Sequence, residues 1–134
     1  MIRVIVRSKY RKYEKLEKEV RKAARAALGF LGKDNVSVEV NLVGNGEIKN
    51  LNRKFRKKNK VANVLSFSEP TGFPHPESRL CLLGEIYLAP DRVRAEGEEL
   101  GRLAVHGVLH LLGFSHSREG DKMKMEKLEE KING

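Results

Sequence analysis

Alternation of apolar and polar residues predicts strand, helix, strand and helix in the first half of the chain. Residues 2–6 and 36–42 alternate as half-buried strands do. Between them, from Tyr10 to Leu31, runs an apolar stripe at helical spacing: Tyr13, Leu16, Val20, Ala23, Ala24, Ala27, Leu28 and Leu31. After the glycines at 44 and 46, a second helix is expected with three apolar positions: Ile48, Leu51 and Phe55.

The second half of the chain adds two strands and two helices to this prediction. The segments VANVLSF, 61–67, and LLGEIYL, 82–88, have the apolar β-formers of strands largely covered by helices. The prolines and glycine between them make 69–79 a predicted loop. Residues 103–112 are apolar at nearly every position, as in an enclosed helix. A C-terminal amphipathic helix is expected from Met123, Met125, Leu128 and Ile132.

Length and cysteine content narrow the class of protein. The 134 residues suit a single domain, 1–134, with one core. One cysteine excludes an internal disulfide framework, and Cys81, within RLCLLG, is expected to be a buried small hydrophobe. The chain starts without the apolar segment of a signal peptide and has no stretch like a membrane span. These features predict a cytoplasmic protein without a membrane partner.

Charge points to a polyanionic partner. The chain has 27 Lys and Arg against 18 Asp and Glu, a net charge of +9 and a pI of about 9.8. Many of these cations lie on the exposed face of the first helix, where they can simply keep it soluble. A denser run, expected to contact phosphates, consists of Arg53, Lys54, Arg56, Lys57, Lys58 and Lys60.

Three of the four histidines form the pattern H-x-x-x-H-x-x-G-x-x-H in HGVLHLLGFSH. His106 and His110 are four apart, so on a helix their imidazoles lie one turn apart and can reach one ion. Gly113 can adopt the left-handed conformation that ends a helix and turns the chain back. That turn would bring His116 to the same ion. The spacing therefore predicts a metal site.

The ligand set favours catalysis over structure. Three neutral histidines leave a tetrahedral zinc ion with one position for water, whose pKa can fall to about 7. A structural site would need a fourth protein ligand, for which none of the candidates has diagnostic spacing: Cys81, His75, Glu119 and Asp121. Zinc suits such a site, although other transition metals bind the same nitrogens.

Metzincin proteases share this histidine spacing but have a glutamate base directly after the first histidine. This chain has Gly107 there. Peptide hydrolysis is therefore a weak alternative unless another acid, such as Glu85, occupies that place in space.

Three separated segments resemble the YbeY family of bacterial endoribonucleases: EIKNLNRKFRKKNKVANVLSF, LLGEIYLA and HGVLHLLGFSH. The resemblance covers residues 47–132 in order. Jointly specific are the histidine motif, an N-x-x-[YF]-R segment, a V-L-S-F strand and a G-[DE]-I strand. It implies an α+β domain whose mostly parallel four-stranded sheet packs against helices, with the metal site at the C-terminal end of a helix.

The resemblance also implies a function and roles for individual residues. The family's activity is cutting of single-stranded RNA in ribosomal RNA maturation and ribosome quality control, at a three-histidine site usually assigned to zinc. By resemblance, the ligands here are His106, His110 and His116, and the functionally important arginine is Arg56. Where the family often has aspartate before its third histidine, this chain has Ser115, which could orient an imidazole only partly.

The resulting hypothesis is a metal-dependent endoribonuclease that processes small-subunit ribosomal RNA, with one Zn²⁺ per chain and the small ribosomal subunit as a partner. Arg56 would neutralise charge growing on the phosphorane, and the RNA strand would be held by Arg53, Lys57, Lys58 and Lys60. Whether water or the RNA's own 2′-hydroxyl attacks stays open, as does the general base. Alternatives are an RNA-binding assembly factor with a structural metal and, less favoured, a metallopeptidase.

Overall fold

The structure is a computed structural model that describes residues 1–69, 80–114, 127 and 129–132. Its four strands form one sheet in the order β1-β2-β4-β3: β1 (Ile2–Ser8), β2 (Val36–Leu42), β3 (Val64–Ser68) and β4 (Cys81–Leu88). Strands β1, β2 and β4 are parallel, whereas β3 runs antiparallel to β4 and forms an edge. The expected α+β class with a mostly parallel sheet is confirmed.

The helices differ from the predicted order in two places: the first helix begins with a 3₁₀ turn, and a short helix over Pro90–Ala95, which the sequence pattern did not predict, follows the last strand. A 3₁₀ helix, Arg11–Leu16, precedes α1 (Glu17–Phe30), so the helix expected from Tyr10 begins with a tighter turn. That turn buries Tyr13, whose hydroxyl donates to Asp91 at 2.8 Å. The remaining helices are α2 (Asn45–Arg56), α3 (Pro90–Ala95) and α4 (Leu100–Leu111).

Two helices cover one face of the sheet, and α2 covers part of the other. The main core lies between the sheet and the apolar stripes of α1 and α4, and includes Val20, Ala24, Leu28, Val38, Val40, Ile86, Leu88, Val105 and Leu109. Burying each large apolar side chain stabilises the fold by about 1.5–3 kcal/mol. A smaller cluster joins α2 to the opposite face through Val43, Ile48, Leu65 and Ala89. Helices α2 and α4 therefore lie on opposite sides of β3 and β4.

Two expectations are corrected, one for Cys81 and one for the third strand. Cys81 is exposed, because it is the first residue of β4 and lies at the end of the sheet beyond the helices. Phe55, which has the predicted helical spacing in α2, is 55% exposed, and its ring packs edge-on against Phe67. The strand expected over 61–67 begins only at Val64, and of its residues only Leu65 is buried, because β3 is an edge strand.

Several expectations lie outside the described residues. These include most of the 69–79 loop, His75, Ser115, Met123 and Met125. Residues 127 and 129–132 are helical, and Ile132 packs against the main core, as expected of the C-terminal helix. That residues 1–134 form a single domain stays a prediction. Within the described part of the chain, no helix is long and apolar enough to cross a membrane.

Helix α4 packs tightly against the sheet at Gly107. A Cβ at this position would lie 2.8 Å from Ile86 Cγ2 and 3.0 Å from its Cδ1. Those distances are well inside van der Waals contact, so even one methyl group would push α4 away from β4. Glycine at position 107 therefore sets the distance between the helix and the sheet.

We expect Gly107→Ala to lower the free energy of unfolding by about 1–3 kcal/mol, the usual cost of an overpacked core. Urea unfolding of the full chain measures it. Gly101→Ala is the matched control on the same helix, α4. A Cβ at position 101 would lie 3.5 Å from the Cβ of Ala23 in α1, which is an ordinary van der Waals contact. That control should leave stability unchanged or raise it by up to about 1 kcal/mol. Equal stability of the two variants would contradict the close approach.

Candidate active site

The end of α4 has the geometry expected from Gly113. This glycine has a φ of 95°, and its N–H donates to the His110 carbonyl at 3.1 Å. The Phe114 N–H donates to the Leu109 carbonyl at 3.0 Å. Together these two bonds form a Schellman motif, which satisfies carbonyls that the helix end leaves unpaired. The predicted stop of the helix is confirmed, and it directs the chain out of α4 directly after the second histidine.

His106 and His110 lie side by side on the last turns of α4. Their Nε2 atoms are 2.9 Å apart and their ring centroids 4.5 Å apart. Two nitrogens bound to one tetrahedral zinc are about 3.3 Å apart at the usual bond length. The two Nε2 atoms would have to move apart by only a few tenths of an ångström to bind one ion. The spacing of the histidine pair is therefore compatible with metal binding.

The third expected ligand, His116, lies outside the described residues. Over residues 1–69, 80–114, 127 and 129–132, no group of three or more His, Cys, Asp or Glu is placed to hold a metal. The structure thus brings together two of the three predicted ligands, and the complete ligand set stays a prediction. Exposed Cys81 belongs to no such group.

A buried carboxylate that the sequence analysis missed contacts the other side of His106. Glu129 Oε1 lies 2.7 Å from His106 Nδ1, and the residue is 6% exposed. The carboxylate therefore approaches the ring nitrogen that does not face His110. No sequence signal distinguished Glu129 from the neighbouring acids of the C-terminal segment.

Arg56, the last residue of α2, is held against the edge strand. Its Nη2 donates to the Ser66 carbonyl at 2.7 Å, and its guanidinium carbon lies 5.4 Å from the centre of the Phe67 ring. A cation at this distance over an aromatic ring is attracted electrostatically. The guanidinium is therefore oriented by β3 instead of extending freely into solvent.

Arg56 and the histidines line the same cavity, although they come from helices on opposite faces of the sheet. The cavity has a volume of about 290 Å³ and crosses the edge of β3, where Lys58, Lys60, His106 and His110 also line it. A neighbouring cavity of about 410 Å³ shares Arg56 and His110 and extends to Gly113 and Phe114. Neither cavity is lined by Arg53 or Lys57.

Asn52 explains why the two lysines reach this cavity. Asn52 is 3% exposed. Its side-chain Nδ2 donates to the backbone carbonyl of Lys60 at 3.0 Å, and its backbone carbonyl accepts the N–H of Lys58 at 3.3 Å. Lys57 ends α2 in the left-handed conformation, with a φ of 59°, which turns the chain back over Asn52. The available signal was the N-x-x-[YF]-R segment, in which Asn52 is the first residue.

Ser66 links the two halves of the site. Its hydroxyl donates to the Gly107 carbonyl of α4 at 3.2 Å, and its own carbonyl accepts from Arg56. One residue of β3 therefore contacts both the helix that bears the histidines and the arginine. The V-L-S-F segment contained this residue, but its double role depends on which face of β3 meets α4.

The peptidase alternative finds no base at either expected position. A side chain at 107 would point against Ile86 of the sheet. Glu85 alternates with Ile86 along β4, so it lies on the face opposite α4, where it accepts a hydrogen bond from Tyr87 at 2.9 Å. Neither position can present a carboxylate beside the histidines.

Comparison with known proteins identifies the family. The sequence profile described as "Endoribonuclease YbeY" matches residues 4–133. The chain is 37% identical to the Endoribonuclease YbeY of Aquifex aeolicus, over 91% of this chain and 83% of that protein. It is 35% identical to that of Persephonella marina, over 78% of this chain and 73% of that protein. The chain belongs to the YbeY family of endoribonucleases.

The convergence of the imidazoles predicts metal content. Purified wild-type protein should carry close to one transition-metal ion per chain. Each histidine supplies one ligand, so the variants His106→Ala and His110→Ala should each lose the ion. Elemental analysis by mass spectrometry after dialysis measures the ratio. His75→Ala is the control: retained metal supports a three-histidine site with an open position, whereas lost metal would identify His75 as a fourth ligand. A His110→Ala protein with wild-type metal content would contradict the site.

Proposed function

We propose that this chain is a zinc-dependent endoribonuclease that cuts single-stranded regions of ribosomal RNA during maturation and quality control of the small ribosomal subunit. The observation that carries the proposal is the common cavity of Arg56, His106 and His110 at the edge of β3. Membership of the YbeY family and the net charge of +9 support the RNA substrate. A cytoplasmic location is proposed with it, as the compartment of a bacterial ribosomal RNA.

In this proposal His106 and His110, joined by His116, hold the ion. When bound, the ion supplies Lewis acidity toward a phosphate oxygen and makes a water molecule more acidic. His106, His110 and Arg56 line one cavity, so a scissile phosphate placed there could contact both Arg56 and an ion that the histidines would hold. Neutral imidazole nitrogens in a site with one open position suit zinc better than magnesium or calcium, which prefer oxygen ligands.

Arg56 would stabilise the charge that grows on the phosphate in the transition state. A guanidinium has five N–H donors, and the Ser66 carbonyl occupies one, which leaves the planar fork for phosphate oxygens. Because β3 orients the group before substrate arrives, little reorganisation is needed during the reaction. Lys58 and Lys60 would attract the RNA backbone into the cavity, with Arg53 and Lys57 acting outside its lining.

The cleavage assay tests the proposed function directly. Metal-loaded protein should cut an unstructured RNA strand, while a rigid duplex of the same sequence is cut much more slowly, because its backbone cannot enter a cavity at the sheet edge. Cutting should vanish with a chelator and in His110→Ala. A protein that binds RNA and metal but cuts neither substrate would be an assembly factor with a structural metal, and the proposal would be wrong.

Substitution of Arg56 distinguishes a role in catalysis from a role in RNA binding. We expect Arg56→Ala to slow single-turnover cleavage at saturating protein by on the order of 100-fold, with metal content and RNA affinity nearly intact. Arg56→Lys should resemble Arg56→Ala, because an ammonium cannot hold two phosphate oxygens in one plane.

The matched control is Arg53→Ala, one turn earlier on α2, where the guanidinium donates to Asn50 at 3.3 Å and does not line the cavity. It should weaken binding mildly and cleave at the wild-type rate once saturated. If Arg56→Ala also cleaves at the wild-type rate under saturation, Arg56 is a docking residue.

A further inference from the structure

Glu129 stands out among the acidic residues because it is buried beside a predicted metal ligand. Its side chain is 8% exposed, and Oε1 lies 2.7 Å from His106 Nδ1. Removing a carboxylate from water is costly unless hydrogen-bond donors replace the lost hydration. The His106 ring lies within hydrogen-bonding distance and offers such a donor.

The direction of this hydrogen bond follows from the chemistry of its two groups. An ionised carboxylate only accepts hydrogen bonds, so His106 Nδ1 carries the proton and donates it to Glu129. In a neutral imidazole the other nitrogen then carries the lone pair, which can accept a hydrogen bond or bind a metal ion. That nitrogen is His106 Nε2, which lies 2.9 Å from His110 Nε2. Contact with Glu129 therefore leaves His106 in the tautomer that a metal ion needs.

The position of Glu129 is set by the fold and not by the sequence near the histidines. It follows His106 by 23 residues, in the helical segment 129–132. Ile132, three residues further on, packs against the main core. Residues three apart lie on the same side of a helix, so Glu129 and Ile132 share the side of this segment that faces the rest of the protein. The segment thus presents the carboxylate to the ring from outside the cavity.

We propose that Glu129 is a positioning residue that holds His106 in the Nδ1-protonated tautomer and fixes its ring for a divalent transition-metal ion. This inference rests on the proposed metal site of the nuclease. Carboxylates that accept the remote N–H of a metal-bound histidine fix the ring orientation and raise the basicity of the ligand nitrogen. The C-terminal segment thereby becomes a determinant of metal affinity, although it supplies no ligand.

Zinc affinity of the full chain, measured by competition with a colorimetric chelator at pH 8, tests the proposal. Glu129→Ala should weaken zinc binding by about 10–100-fold. Glu129→Gln should weaken it less, by on the order of 10-fold, because its amide oxygen can still accept the Nδ1 proton. Glu130→Gln is the matched control, since the neighbouring residue is exposed, and it should bind zinc within about twofold of wild type.

A second measurement observes the tautomer of His106 directly, beginning with the wild-type protein. Long-range proton–nitrogen NMR of metal-free wild type, with the His106 signals assigned through His106→Ala, should place the ring proton on Nδ1. Glu129→Ala should move His106 toward the Nε2 tautomer, which loss of packing alone would not do. A wild-type proton on Nε2, or zinc affinity in Glu129→Ala within twofold of wild type, would overturn the proposal. Neither readout uses RNA, so a protein that passes both but cuts no RNA would contradict only the proposed function.

Discussion

The close contact between Gly107 of α4 and Ile86 of β4 is the constraint on which the site depends. With no side chain at position 107, α4 lies directly on the sheet, and a Cβ there would come within 2.8 Å of Ile86. The Gly107 carbonyl then accepts the Ser66 hydroxyl of β3. His106, the residue before this contact, is consequently held at the edge of the sheet. Gly107 occupies the position at which metzincins have their glutamate base, and it also lets the helix with the two histidines pack directly on the sheet.

Because β3 is an edge strand, side chains from both faces of the sheet can meet beside it. Helix α2 packs on the face opposite α4, yet its last residue, Arg56, reaches the Ser66 carbonyl at the strand edge. A central strand would have used that carbonyl in the sheet, so only an edge position leaves it for a side chain. His106 and His110 of α4 and Arg56 of α2 can therefore line one cavity although they come from different helices.

Local patterns in the sequence predicted the four strands, the longer helices and the histidine pair, because spacing and glycine conformation are local properties. The apolar stripe of α1, the paired imidazoles and the stop at Gly113 all have this origin. Exposure of Cys81 and Phe55 depends on where the sheet and the helices end, which no local pattern contains. The roles of Asn52, Ser66 and Glu129 each require a contact across the fold. The family resemblance supplied Arg56, which charge alone did not distinguish from its cationic neighbours.

The central claim is that one metal ion and one RNA phosphate meet in the cavity between α4 and Arg56. Crystals of the zinc-loaded protein with a short RNA strand test it through anomalous scattering at the zinc edge. The scissile linkage of this strand is a 2′-deoxy phosphonate analogue that neither a 2′-hydroxyl nor water can cleave. We expect one zinc peak bonded to the Nε2 atoms of His106 and His110, at about 2.0–2.1 Å. We also expect a phosphate between that peak and the Arg56 guanidinium. A zinc peak away from these histidines, or a strand bound on another face with the cavity empty, would contradict the claim.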